Sequence, residues 1–460
     1  MADLVLLASI SMCSVAGAFT GFCAGLVPGL HMNNIAAAIT AYSGATLAAF
    51  GLLGGIAGSG STASLISCFI TAALIGHLFA ESITSTYLGI PAEDVVSVLP
   101  AHRLARAGLG EAAVRASADG AICGTVASAI LLFPMCLLMG APVNIYRLLS
   151  GVMGFVMIFF ASVLLYSEGH GRPRKDRAAS ILKAMAVFSA AGLLGIVVLC
   201  TDYYACDIPD LPFTSGFVLR SSLLLPLFAG LYGVPGLILG LRSRPGLDTD
   251  ICADKSATHS PGARDLLLSL VGGTLVGWMP GMTAGSSATI CAPGVREFSE
   301  DTDIRSSVRF IWLYSSISAS GAVFAVGALF MISRARSGCM DAAQYFLGGQ
   351  IEPGSVIGNL APMSVMLVSM MIAAWLGHLL ISALNPRIGR VRSVMCSSKV
   401  AMASLVFVCS LSFVLTGTRG ALLMATAVCL GLLPPVAGIR RIQLMGCLLV
   451  PITVKFFGLM

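Results

Sequence analysis

The residues able to do chemistry are few and gather near one place. From Leu4 to Ala80 the chain has no Asp, Glu, Lys or Arg, and His31 and His77 are its only histidines there. An unperturbed imidazole titrates near pH ~6.5. His31 is therefore either a neutral ring packed among apolar neighbours or a group that contacts an anion or relays a proton. His77 and Glu81 stand four residues apart, share a helical face and suit a proton relay. Glu81 also opens a hydroxyl-rich stretch that runs through Ser85 and Thr86 to Gly89-Ile-Pro91 and ends on Glu93 and Asp94. Carboxylates are costly beside so apolar a sequence, so Glu81, Glu93 and Asp94 either reach water or have a role. Glu93 and Asp94 equally suit the first turn of a helix after a proline turn, where the dipole favours acids. Glu81, Ser85, Thr86, Glu93 and Asp94 are the candidate coupling residues.

A second set of candidates follows an internal repeat. Gly21-Phe-Cys-Ala-Gly25-Leu-Val-Pro28-Gly29 returns as Gly273-Thr-Leu-Val-Gly277-Trp-Met-Pro280-Gly281, at a constant offset of 252 residues. G-x-x-x-G lets a neighbouring helix approach closely. Pro-Gly then ends the helix, since proline removes a donor and glycine tolerates left-handed dihedrals. Small polar residues follow both breaks: Leu30-His31-Met32-Asn33-Asn34 in one, Met282-Thr283-Ala284-Gly285-Ser286-Ser287 in the other. Helix starts with free N–H groups and polar side chains bind anions. Pro28, Gly29, His31, Asn33, Asn34, Pro280, Gly281, Thr283, Ser286 and Ser287 are thus the candidate substrate-binding set, with His31 carrying charge coupling and Glu81 and Asp94 behind it. The competing reading is two packing motifs with incidental kinks.

The elements that position these residues are membrane helices. The chain has 460 residues, 57% hydrophobic and 10% charged, against the ~25% charged of a soluble domain; its mean hydropathy is +0.92. Charge-free runs extend over 121–146, 148–167, 184–201, 221–241, 266–295 and 400–418, each near or above the ~20 residues a spanning helix needs. The expectation is an all-α polytopic membrane protein with roughly ten to twelve hydrophobic segments, not all crossing, in the rhythm of a helical bundle rather than a barrel. The repeat divides it into an N-terminal half (1–167), a linking section with its own helices (168–263) and a C-terminal half (264–460). Paired broken helices at corresponding places in two halves point to a secondary transporter's site.

Charge and motifs narrow the class. The loops around Arg172–Arg177, Arg242–Arg244, Arg387–Lys399 and Arg440–Arg441 are basic, whereas Asp202–Asp210 is acidic, so the former are expected on the cytoplasmic side of the membrane and the latter on the external side. Such short, interrupted basic loops do not suit nucleic acid. The 14 cysteines are scattered singly, without Cys-x-x-Cys, and argue against a zinc site or disulfide framework; no metal ligands and no cofactor are read. The N-terminus lacks a basic signal-peptide region and reads as the start of the first membrane segment. There is no P-loop, H-E-x-x-H or G-x-S-x-G. An intramembrane hydrolase would have only Ser286 with His31 to offer, so the chain is expected not to be an enzyme.

Gly25-Leu-Val-Pro28-Gly29-Leu-His31-Met-Asn33, Ser85-Thr-Tyr-Leu-Gly89-Ile-Pro91-Ala-Glu93-Asp94, Leu99-Pro100-Ala-His102-Arg103, Gly110-Glu111-Ala112 and the second copy Gly277-Trp-Met-Pro280-Gly281-Met together resemble the large permease subunit of tripartite tricarboxylate transporters, above all its archaeal branch. The resemblance implies a carboxylate carrier with two related halves, broken or re-entrant helices meeting near mid-membrane and an elevator-like movement. It also implies a small membrane subunit and an extracytoplasmic solute-binding protein as partners. The chain departs from the bacterial pattern at Leu30-His31-Met32-Asn33-Asn34, where Leu-Gly-Pro-Thr-Thr is usual, and at Gly89-Ile-Pro91-Ala92, where Asn-x-Pro-Gly is usual. Both departures fall in the binding region, so citrate itself is not implied. The resulting expectation is a multi-pass permease of the cell membrane that moves a small anion, a carboxylate, by symport with H+ or Na+, in contact with lipid and with homo-oligomerisation open. The alternative is a translocase for a lipid-linked phosphate such as polyprenyl phosphate.

Overall fold

The computed structural model describes residues 2–27, 30–57, 61–88, 98–140, 143–169, 172–200, 223–242, 261–291, 304–387 and 397–459, and among them every regular element is a helix. Pro28, Gly29, Pro91, Glu93, Asp94 and the acidic loop Asp202–Asp210 lie outside the described residues.

The first helix, α1 (Ala2–Gly25), is uncharged from Leu4 onward and ends just before the first Pro-Gly pair. Helices α2 (Met32–Ala41) and α3 (Ser43–Ala57) follow with an 88° bend between them, and α4 (Ser61–Leu88) is the long central helix of the first half. Short α5 (Val98–Arg106) leads into α6 (Gly110–Met139), and α7 (Ile145–Ser150) and α8 (Met153–Ser167) close this part. Helix α9 (Arg174–Cys200), α10 (Leu224–Phe228) and α11 (Val234–Arg242), the last two joined by a π-helical turn, come next. The second copy of the repeat is α12 (Ala263–Trp278), the Pro280-Gly281 break and α13 (Ala284–Cys291). It is followed by α14 (Ile304–Ile332), α15 (Gly338–Leu347), α16 (Leu360–Leu384), α17 (Ser398–Ala437) and α18 (Gly446–Phe456).

Both G-x-x-x-G copies do what their spacing demands. Gly21 and Gly25 lie against the Ala73 and His77 backbone of α4, while Gly273 and Gly277 lie against Ser320 and Phe324 of α14. Residue numbers rise together across each seam, so α1 runs parallel to α4 and α12 parallel to α14. A Cβ on Gly277 would stand 2.5 Å from the Phe324 Cβ. Gly277→Leu is therefore expected to cost about 1–3 kcal/mol, read as a lowered melting temperature of the detergent-solubilised protein. Gly55→Ala, where nothing lies within 4 Å, is expected to leave the melting temperature unchanged or raise it.

Helices from the two copies of the repeat and those that follow them interleave. Helix α16 packs parallel to α4, through Cys68 on the Val365 carbonyl and Phe79 on Gly377. Helix α6 packs parallel to α14, through Gly120 on Trp312 and Gly124 on Ser316. Helices α6 and α16 are antiparallel, because Asp119 meets His378 at 3.0 Å and Glu111 meets Asn385 at 3.4 Å. The two trios, α1–α4–α16 and α12–α14–α6, thus point in opposite directions, an inverted repeat.

Seven helices among the described residues are long and apolar enough to cross a membrane, and the bent α2–α3 pair makes an eighth. The ten to twelve hydrophobic segments of the sequence reduce to these for physical reasons. Run 148–167 yields a helix of 15 residues, and run 221–241 is divided by the π-turn. Helix α17 goes the other way. Its 40 residues would be ~60 Å long if straight, twice a ~30 Å hydrocarbon core. Gly417 breaks it with φ 63°, and Val408 and Met424 on either side share one apolar cluster with Val234. The chain folds back there.

Two of the basic loops meet. Arg172 and Arg440 reach Glu168 at 2.8 and 3.2 Å, and Gln443 donates to the same carboxylate at 3.2 Å. Glu168 is almost fully buried, so the cations around it compensate a charge that would otherwise be costly. Their shared end of the bundle accords with one face carrying the positive loops.

Candidate functional site at the helix breaks

Corresponding residues cap the helices that follow the two breaks. His31 precedes α2 in extended conformation, and its Nδ1 accepts the Asn33 N–H at 3.1 Å. Thr283, at the same repeat offset, precedes α13: its Oγ1 accepts the Ser286 N–H at 3.3 Å, and Ser286 Oγ accepts the Thr283 N–H at 2.9 Å. This reciprocal arrangement is a capping box built with serine. Gly281 has φ 71°, a dihedral only glycine adopts without strain, and the turn it makes after Pro280 sends α13 back along α12. Ser287 accordingly donates to the Gly272 carbonyl at 2.8 Å. The Asn34 N–H closes the first turn of α2 on the His31 carbonyl at 3.0 Å. Asn33 Oδ1 accepts the Cys339 N–H at 3.1 Å.

One short segment joins the breaks. From the end of α14, residues 333–339 run from the second break to the first. Arg336 Nη2 donates to the Trp278 carbonyl at 2.6 Å, the last residue of α12, and lies 3.4 Å from the Tyr146 hydroxyl. Three residues on, Cys339 binds Asn33. Arg336 Nε and Trp278 Nε1 are buried donors with no acceptor among the described residues, an arrangement that calls for an acceptor from elsewhere. Burial lowers the Arg336 pKa and Tyr146 acts against that shift; arginine starts so high that it stays charged. Arg336 is absent from the sequence candidates because it reads as one of two arginines in an interhelical loop. The signal available was its place directly after a helix of the repeat.

Of the candidate coupling residues, Glu81 lies near the first break and shares a cleft with Ser85 and Thr86. The His31 and His77 rings meet edge to face with centroids 5.1 Å apart, and His77 Nε2 is 3.9 Å from Glu81 Oε2. Glu81, Ser85 and Thr86 line a small cleft between α4, α6 and α14, whose opposite wall includes Ser117 and Ser315, hydroxyls 2.7 Å apart. His102 Nδ1 lies 3.2 Å from the Thr86 carbonyl. His31 and Glu81 are therefore brought together through His77. Ser286 and Ser287, by contrast, are buried and spend their hydroxyls on helix caps and carbonyls. Pro28, Gly29, Glu93 and Asp94 are not among the described residues.

Long apolar helices in oppositely directed sets make this an all-α polytopic membrane protein, and the segment that carries Arg336 joins the end of α12 to the start of α2. Residues 12–446 match the tripartite tricarboxylate transporter TctA family. The chain belongs to that family. It is also similar to an uncharacterised protein of Methanocaldococcus jannaschii, with 28% identity over 231 residues, 50% of this chain. The matched region spans about half, 48%, of that relative's length. No solved structure matches the chain.

Proposed function

We propose that this protein is a secondary transporter that carries a small anion, a carboxylate, across the cell membrane, driven by a proton or sodium gradient. The anion sits between the Pro28-Gly29 and Pro280-Gly281 breaks, in contact with the starts of α2 and α13 and with the Arg336 guanidinium. The observation that carries this reading is the segment 333–339, which links both breaks and leaves buried donors on Arg336 and Trp278. A carboxylate accepts without donating, so it suits such donors. His31, His77 and Glu81 supply charge coupling. The N-terminal half (1–167) and C-terminal half (264–460) act as the two repeats around the anion, with 168–263 between them. A small membrane subunit and a solute-binding protein complete the assembly, as the name of the family suggests. No covalent step is needed, so the protein works as a carrier and not as an enzyme.

The test is thermal stabilisation of the detergent-purified protein across di- and tricarboxylates, inorganic phosphate and polyprenyl phosphate. A ligand at 100 times its Kd stabilises by ~2.7 kcal/mol. A carboxylate shift that vanishes in His31→Ala and Asn33→Ala is the expected result and names the substrate class. A shift with polyprenyl phosphate alone overturns the reading and assigns the protein to lipid translocation.

A further inference from the structure

Three side chains, one at the first break and two on α4, present metal-ligating atoms to one point. One ligand atom each from His31, His77 and Glu81 lies within 4.8 Å of the other two. His77 is 1% exposed, and its ring nitrogens make no hydrogen bond of good geometry among the described residues, with only the Gly21 backbone and the Glu81 carboxylate near them. A buried imidazole so loosely held has a nitrogen available to a ligand. We propose that His31, His77 and Glu81 form a binding site for a divalent transition-metal ion of the zinc class.

The donor set selects the ion. Two imidazoles and one carboxylate suit Zn2+ and its neighbours, whereas Mg2+ and Ca2+ seek shells of six or more oxygens. Three protein ligands leave a fourth position open, as in catalytic and exchangeable zinc sites. Bonds of about 2.0–2.2 Å in a tetrahedral shell set ligand atoms about 3.3 Å apart, so closing the cluster needs movements of only ~1.5 Å. Glu81 keeps 19% of its side chain exposed and lines the hydroxyl-rich cleft, which gives the ion a route from water. The Gly21 backbone borders the His77 ring at the α1–α4 seam. It offers the outer-shell carbonyl that ligating histidines commonly use.

His31 makes occupancy consequential. While its Nδ1 accepts the Asn33 N–H, the neutral ring holds its proton on Nε2. A metal bonds only a bare nitrogen. Bonding through Nδ1 removes the cap directly; bonding through Nε2 moves the proton to Nδ1 and removes it equally. The ion thus exchanges the N-cap of α2 for a metal bond and frees the Asn33 N–H beside the first break.

The site is made of the residues to which the transport reading gives charge coupling, but metal binding does not depend on that role, and an equilibrium titration tests it separately from any transport assay. Tag-free, chelator-treated full-length protein in detergent is titrated with Co2+ and followed by visible absorption, then challenged with Zn2+. One equivalent per chain with the intense spectrum of a four-coordinate ion, displaced by Zn2+, is expected. His378→Gln, at the other histidine–acid pair, His378–Asp119, is expected to keep that spectrum. Glu81→Gln and His31→Asn are expected to lose at least ~100-fold in affinity. Asparagine retains an oxygen able to cap α2, and an unchanged melting temperature verifies that each variant folds. A weak six-coordinate spectrum, no spectrum, a band that survives both replacements or one that disappears in His378→Gln would overturn the assignment.

Discussion

Reconstituted protein carrying Glu81→Gln is expected to lose gradient-driven substrate accumulation by roughly 100-fold, the upper range of a coupling free energy, while still exchanging labelled for unlabelled substrate. The carboxylate is 3.9 Å from His77, which in turn faces the His31 ring at 5.1 Å. Glutamine preserves the size and hydrogen-bonding reach of Glu81 but neither titrates nor attracts a cation. Exchange across the membrane needs the carrier to move with substrate bound and requires no net coupling. Uphill movement requires the ion to bind and leave. The split between the two assays is what distinguishes a coupling residue from one that merely supports the fold. Full accumulation in Glu81→Gln would remove the cluster from the coupling path. Loss of exchange together with accumulation would assign Glu81 to substrate binding or stability instead.

Arg336→Gln is expected to weaken carboxylate binding at least ~30-fold, corresponding to about 2 kcal/mol, the lower end of the cost of removing one partner from a buried charge pair. The guanidinium already spends one nitrogen on the Trp278 carbonyl, so part of any effect comes from the loosened end of α12. Arg336→Lys separates the contributions. Lysine keeps the charge but not the planar fork that serves a carbonyl and a carboxylate at once, and it is expected to recover part of the affinity. Isothermal titration with the stabilising carboxylate checks both, with melting temperatures as the control for folding. Equal affinity in all three proteins would make Arg336 a helix cap and nothing more.

What could be read from the sequence was whatever depends on neighbours along the chain. The G-x-x-x-G seams, the Pro280-Gly281 break and the family are carried by short motifs, and the 252-residue offset places His31 and Thr283 at corresponding positions, where the fold uses each as a cap. What depends on tertiary approach was hidden. His31 meets His77 only because α1 runs parallel to α4 and brings Gly25 level with it. Arg336 joins the site because the chain leaving α14 crosses between the breaks. Ser286 and Ser287 read as substrate donors since hydroxyl groups after a break serve anions and the backbone equally well; in the fold Ser286 bonds within the cap of α13, and the return of α13 along α12 brings Ser287 to the Gly272 carbonyl.

The interleaving of α6 and α16 also sets a schedule for biosynthesis. Ser14 donates to Ser369 across 355 positions of sequence. At 5–20 residues per second that partner emerges from the ribosome about 20–70 s after Ser14 does. During this interval the flank of α1 and α4 that α16 will cover faces lipid or a membrane insertase. The same holds for α6 until α14 arrives. Assembly of the bundle is therefore expected to be a late, near-simultaneous event, and truncation within α16 should strand an inserted but unassembled chain for quality control to remove.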